Sequence, residues 1–159
     1  MTGKPTEVPL LSLPAVRPYV EAAGASRALS VFLTNEGGPE LAIAFAHFFW
    51  PEFVEVEGCV LLKERFDPLN FRRWQEEYGG DCTLIEKMVN YTHLDALFLN
   101  SDGVGEDAYD YLAHITAKIW AAALRKQFPD KTFEFFVSLE DEVAVYFWQD
   151  RLEEQGPSS

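Results

Sequence analysis

Two runs near the end of the sequence, TFEFFVSL (132–139) and VAVYFWQ (143–149), constrain the fold more than any other feature. Aromatic and β-branched residues suit a pleated surface, and Glu140, Asp141 and Glu142 between them make a polar turn. The pair therefore predicts an antiparallel hairpin. Alternation puts Phe133, Phe135, Val137 and Leu139 on one face of the first strand, and Val143, Val145 and Phe147 on one face of the second. The opposite side carries Phe136, Ala144, Tyr146 and Trp148, too apolar for full exposure to water. Either helices cover both faces of this sheet, or part of the second face binds something.

Upstream of the hairpin the period changes to helical. Over 106–127, Leu112, Thr116, Ile119, Trp120 and Ala123 recur at helical spacing. Glu106, Asp107 and Asp110 near the start and Arg125 and Lys126 near the end suit the helix dipole. A second helix has Asp67 as its cap, Pro68 in its first position, Phe71, Trp74 and Tyr78 as its stripe and Gly79 as its stop. Asp81 caps a third, with Leu84, Ile85, Met88 and Val89 facing inward, and Thr92 with Asp95 resembles a short capping box ahead of 96–98. Residues 40–49 (ELAIAFAHFF), between Pro39 and Pro51, are apolar nearly all round and predict a buried helix.

The remaining elements read as strands: 27–34 (RALSVFLT), closed by Asn35-Glu36-Gly37-Gly38, and 52–63 (EFVEVEGCVLLK), with a turn or bulge at Gly58. The expected architecture is a single α+β domain over 19–152, with an antiparallel sheet and C-terminal β-hairpin packed against four or five helices. Pro5, Pro9, Pro14 and Pro18 make 1–18 an extended arm, and 153–159 a frayed tail.

Charge narrows the function classes. Against 13 Lys and Arg stand 26 Asp and Glu, a net charge of -13, which repels nucleic-acid phosphates and anionic membranes and favours a basic protein partner. No apolar run is long enough to span a bilayer and no basic-then-apolar leader opens the sequence, so the expected location is cytoplasmic. There Cys59 and Cys82 would stay reduced as structural thiols.

Candidate chemistry is sparse. Asp107, Asp110 and His114 share one side of the long helix and could hold a divalent cation or pair acid with base, although acids placed for the dipole are the simpler reading. His93 precedes Asp95 by two residues and could be oriented by it, while His47, inside the most apolar helix, reads as a core or interface histidine. The loop Ser101-Asp102-Gly103-Val104-Gly105 lacks the lysine of a phosphate loop and is surrounded by acids. No catalytic residue, resident metal or cofactor is assigned. The leading expectation is a non-catalytic, immunity- or inhibitor-like protein that binds a basic partner, with Phe136, Tyr146, Trp148, Glu140, Asp141 and Glu142 as its interface. The alternatives are a small enzyme using the Asp107/Asp110/His114 face, and a homodimer that buries the Tyr146/Trp148 face.

Overall fold

The structure, a computed structural model, describes residues 7–98 and 103–151. Along the chain run α1 (Arg17–Ala23), α2 (Ala28–Glu36), α3 (Pro39–Phe49), β1 (Phe53–Val56), β2 (Cys59–Leu62), α4 (Pro68–Glu77) and α5 (Cys82–Val89). There follow β3 (Thr92–His93), α6 (Leu94–Leu97), α7 (Glu106–Gln127), β4 (Phe133–Ser138) and β5 (Ala144–Gln149). The strands form two antiparallel sheets, the hairpin β1-β2 and a three-stranded sheet in the order β3-β5-β4. The α+β class and the C-terminal hairpin are as expected, with seven α-helices among the described residues instead of four or five.

Strand β2 explains where the core sits. Its residues are all buried, and with period two they feed two clusters. Val60 and Leu62 join Phe53, Leu94, Trp120, Leu124, Val145 and Phe147 beneath α7, while Cys59 and Leu61 join Phe71 and Ile85 beneath α4 and α5. Between β1 and β2 the chain turns on Glu57 and Gly58, both at positive φ (49° and 84°), the conformation that lets a two-residue hairpin match the twist of its strands. Asp67 and Asp81 cap α4 and α5 as expected, accepting from Asn70 N at 2.9 Å and from Thr83 N at 2.9 Å.

The two sheets do not pair directly; side chains of α5 bridge them. Glu86 is fully buried, and its Oε1 accepts from Val60 N of β2 at 2.8 Å while its Oε2 accepts from Gln149 N of β5 at 2.9 Å. Arg151 meets the same carboxylate with two parallel bonds of 2.8 Å, which neutralises its charge. One turn on, buried Asn90 accepts from Leu62 N at 2.9 Å and donates to Val60 O at 3.0 Å and Phe147 O at 3.3 Å. Each bond that Glu86 and Asn90 make to the backbone satisfies a strand group that would otherwise be buried without a partner. The inner face of α5 is thus Cys82, Ile85, Glu86 and Val89; Leu84 and Met88, expected inside, are exposed.

Several further expectations need correction. Residues 27–34 are not a strand: α2 is helical from Ala28, and the side chains of Ser30, Thr34 and Asn35 bond carbonyls three or four residues back, a pattern only a helix provides. The helix α3 forms where expected, with Pro39 in its first turn, but it has no buried residue. It meets the rest of the chain mainly along Phe45 and Phe48, where Phe45 stacks on Phe98 and Trp120 donates its indole N–H to Phe48 O at 2.9 Å. Thr92 and Asp95 make no reciprocal box; Thr92 lies in β3 and bonds Asn90 O. In the proline-spaced stretch, Leu10–Ser12 form a 3-10 turn and Pro18 opens α1. The expected C-terminal tail lies outside the described residues.

The cysteines are joined: Cys59 and Cys82 form a disulfide that clamps the β1-β2 hairpin to the start of α5. The reduced thiols expected from a cytoplasmic location are therefore replaced by a covalent staple. Its parts lie 23 residues apart, a separation at which no local motif marks a pair.

Candidate binding surface

The outer face of the three-stranded sheet is built around Tyr146. Its cross-strand partner Phe136 lies 5.2 Å away between ring centroids, Trp148 on the same strand 5.7 Å, and Tyr91, from the residue before β3, stacks on it at 5.1 Å. Lys87 of α5 sets its ammonium 4.2 Å over the Trp148 ring. Tyr91 and the Lys87 ammonium thus cover part of the second face, and Ala144, expected on it, is fully buried. Phe136 remains 47% exposed, so the aromatic surface is open at that end. On the core side Phe133, Phe135, Val137 and Val143 pack as expected, but Leu139 lies past the end of β4 and is exposed.

Glu142 links this ladder to a second feature. Its Oε1 accepts from the Tyr91 hydroxyl at 2.7 Å and its Oε2 lies 3.0 Å from His93 Nδ1. That hydrogen bond, with partial desolvation and the carboxylate charge adding to it, pushes the Tyr91 phenol up to about 12. The direction is opposite to the one that activates a tyrosine as base or nucleophile. His93 therefore pairs with Glu142, while Asp95 accepts from Ala96 N at 3.1 Å.

Beyond Glu142 the β4-β5 turn faces the start of α7 across a cleft of about 400 Å³. Asp95, Glu106, Asp107, Asp110, Glu140, Asp141 and Glu142 line it, together with Tyr109, Leu139 and Val143, and among the described residues no lysine or arginine does. Residues distant in sequence converge here because the antiparallel hairpin returns its turn to the helix N-terminus, where the dipole tolerates carboxylates.

Of the expected metal candidates, Asp107 and Asp110 line the cleft and His114 does not. The His114 Nδ1 lies 2.6 Å from Asp110 Oδ1 but is directed at the Asp110 carbonyl, 2.9 Å away, so this carboxylate oxygen receives no well-aligned hydrogen bond. Among the described residues no three His, Cys, Asp or Glu side chains gather closely enough to hold a metal ion. His47 is exposed rather than in the core, beside Glu52 and Lys63. The loop singled out at 101–105 falls partly on residues 99–102, outside the described ones.

Of the six expected interface residues, Phe136, Tyr146 and Trp148 form the ladder, and Glu140, Asp141 and Glu142 line the cleft. Tyr91 and Lys87 were not anticipated, and His93, expected beside Asp95, is found beside Glu142. The sequence signal for Tyr91 was only its place beside a two-residue strand, too short to read by alternation. Comparison with protein-family models, curated proteins and solved structures finds no match.

Proposed function

We propose that the chain is a non-catalytic interaction protein, immunity- or inhibitor-like in type, that captures a basic segment of a partner protein in the acidic cleft. The observation that carries this reading is the distribution of the seven carboxylates. Among the described residues they share one cleft with no lysine or arginine in its lining, yet are too spread to close on a single metal ion. Several separated negative charges match several separated positive ones, as on an arginine- or lysine-rich segment. The aromatic ladder that begins at Glu142 extends the surface with side chains able to stack on guanidinium groups. The Cys59–Cys82 bond supports an oxidising compartment as the place of action, instead of the cytoplasm.

The test separates this site from net charge alone. A fluorescent oligo-arginine peptide is titrated by anisotropy against the parent chain and two variants that remove equal charge. One is Glu140→Gln/Asp141→Asn/Glu142→Gln; the other is Glu64→Gln/Glu76→Gln/Glu77→Gln, exposed carboxylates of the turn at 63–65 and of α4 that do not line the cleft. The first is expected to weaken binding by about tenfold or more and the second by less than about twofold. Equal losses in the two variants would contradict a defined site.

A further inference from the structure

The helices α2 and α3 form a second surface of opposite character. Between them lies a groove of about 640 Å³ whose walls are Phe32 and Leu33 of α2 and Leu41, Ala42 and Phe45 of α3, closed at one end by Gly37 and Gly38. Leu29, one turn before Leu33, is 48% exposed, Leu33 is 54% and Leu41 is 52%. Such side chains gain free energy only by leaving water, and nothing in the described chain takes them out of it. Helices of nine and eleven residues are also too short to be stable on propensity alone. Among the described residues the neighbours of these helices are α1, which packs on α2, and α7 and Phe98, which meet α3 along one side.

Charge identifies the occupant. From 28 to 50 the sequence holds two carboxylates, Glu36 and Glu40, and no lysine or arginine, in a chain of net charge -13. Glu36 is already engaged by the Tyr19 hydroxyl. A basic partner meets a single carboxylate, Glu36, in the groove, against seven in the acidic cleft. A second copy of this chain, repelled at its carboxylate-rich faces, meets the least repulsion here. The two helices open from the Gly37-Gly38 turn with the groove between them, and a symmetric contact through both of them in each copy has to bury about 1,200 Å², the lower end of a specific interface.

We propose that the protein forms a two-fold homodimer in which α2 and α3 of one copy pack on α2 and α3 of a second, a four-helix contact that leaves both acidic cleft and aromatic ladder free. The contact is isologous and apolar, and screening the mutual repulsion of the two acidic bodies strengthens it.

Sedimentation velocity of the full chain from about 1 to about 500 µM tests this, at low and high salt. A monomer–dimer equilibrium is expected, tightening as salt rises. Leu33→Asp/Leu41→Asp is expected to raise the dissociation constant by about 100-fold or more, since it buries charge at the contact. Both residues are half-exposed, so the near-UV circular dichroism and the oligo-arginine affinity stay those of the parent. The milder Leu33→Ser is expected to shift the same equilibrium by about tenfold. Phe136→Asp, on the sheet face, leaves dimerisation unchanged. A monomer across the whole range overturns the proposal, as does a dimer broken by Phe136→Asp but not by the groove variants. A monomer that instead binds neutral phosphatidylcholine vesicles through Leu33 and Leu41 overturns it too.

Discussion

Strand β5 and helix α3 are both almost wholly apolar, and their surroundings differ completely. β5 lies between β3 and β4, has α7 on one face and α5 beside its far end, and most of its residues are buried. α3 touches the body along one side only and has no buried residue. Among the described residues the two cores draw on nothing before Phe48, and upstream of it only Val16 and Ala28 are buried. Apolarity states a demand for cover; the topology decides whether the same chain supplies it. Among the described residues both buried clusters lie from Phe53 onward, and the helices before it add to them only the partly buried Phe48.

The sharpest way to break that contrast is at Glu86. Glu86→Gln puts an N–H donor where strand N–H groups and the Arg151 guanidinium now converge. It is expected to cost about 3–5 kcal/mol by denaturant unfolding. Leu29→Ser, in the exposed helices, is expected to change dilute-solution stability by less than about 0.5 kcal/mol. A small effect of Glu86→Gln would mean that the carboxylate does not hold the two sheets together.

Next in size is the staple. Closing a loop of this length restricts the unfolded chain, so the paired variant Cys59→Ala/Cys82→Ala is expected to lose about 2–4 kcal/mol. Thiol titration of the unfolded parent is expected to find no free thiol without reductant; free thiols there would remove the bond from the account.

A smaller effect is expected where body and helices meet. Trp120→Phe deletes the indole hydrogen bond to Phe48 O, and a loss of about 1–2 kcal/mol is expected together with faster amide exchange in α3.

The smallest concerns Tyr91. Its phenol is raised to about 12, so the stability contributed by its bond to Glu142 is fully present below the ordinary phenol value near 10 and is lost as pH climbs through 12. Glu142→Gln removes the charge and is expected to bring this phenol back toward 10 in an ultraviolet tyrosinate titration. An unchanged titration would detach Glu142 from the ladder.

Much of the body was legible in sequence because its signals are local. Asp67 and Asp81 cap the turns they begin, the stripe of α7 runs for many turns, and the hairpin alternates cleanly. The failures have physical causes. Eight residues of RALSVFLT fit either period, and helix formers such as Ala28 and Leu29 decided the matter. In α5 two stripes rotated by one residue both fit a helix, and the one chosen by hydrophobicity alone missed Glu86, whose burial depends on Arg151 sixty-five residues away. The disulfide and the cleft likewise rest on convergence that no window of sequence contains. The acids of the cleft were visible as separate clusters; that they face one another was not.

The claim that two surfaces serve two separate occupants is tested most directly by hydrogen exchange on the full chain, followed in dilute solution, in concentrated solution and with the oligo-arginine peptide. Amides of β2, β5 and α7 are expected to stay protected throughout. Those of α2 and α3 are expected to slow on concentration alone, and those around 140–142 and the start of α7 on adding peptide alone. Protection of α2 and α3 by the peptide, or of the cleft by concentration, would contradict it.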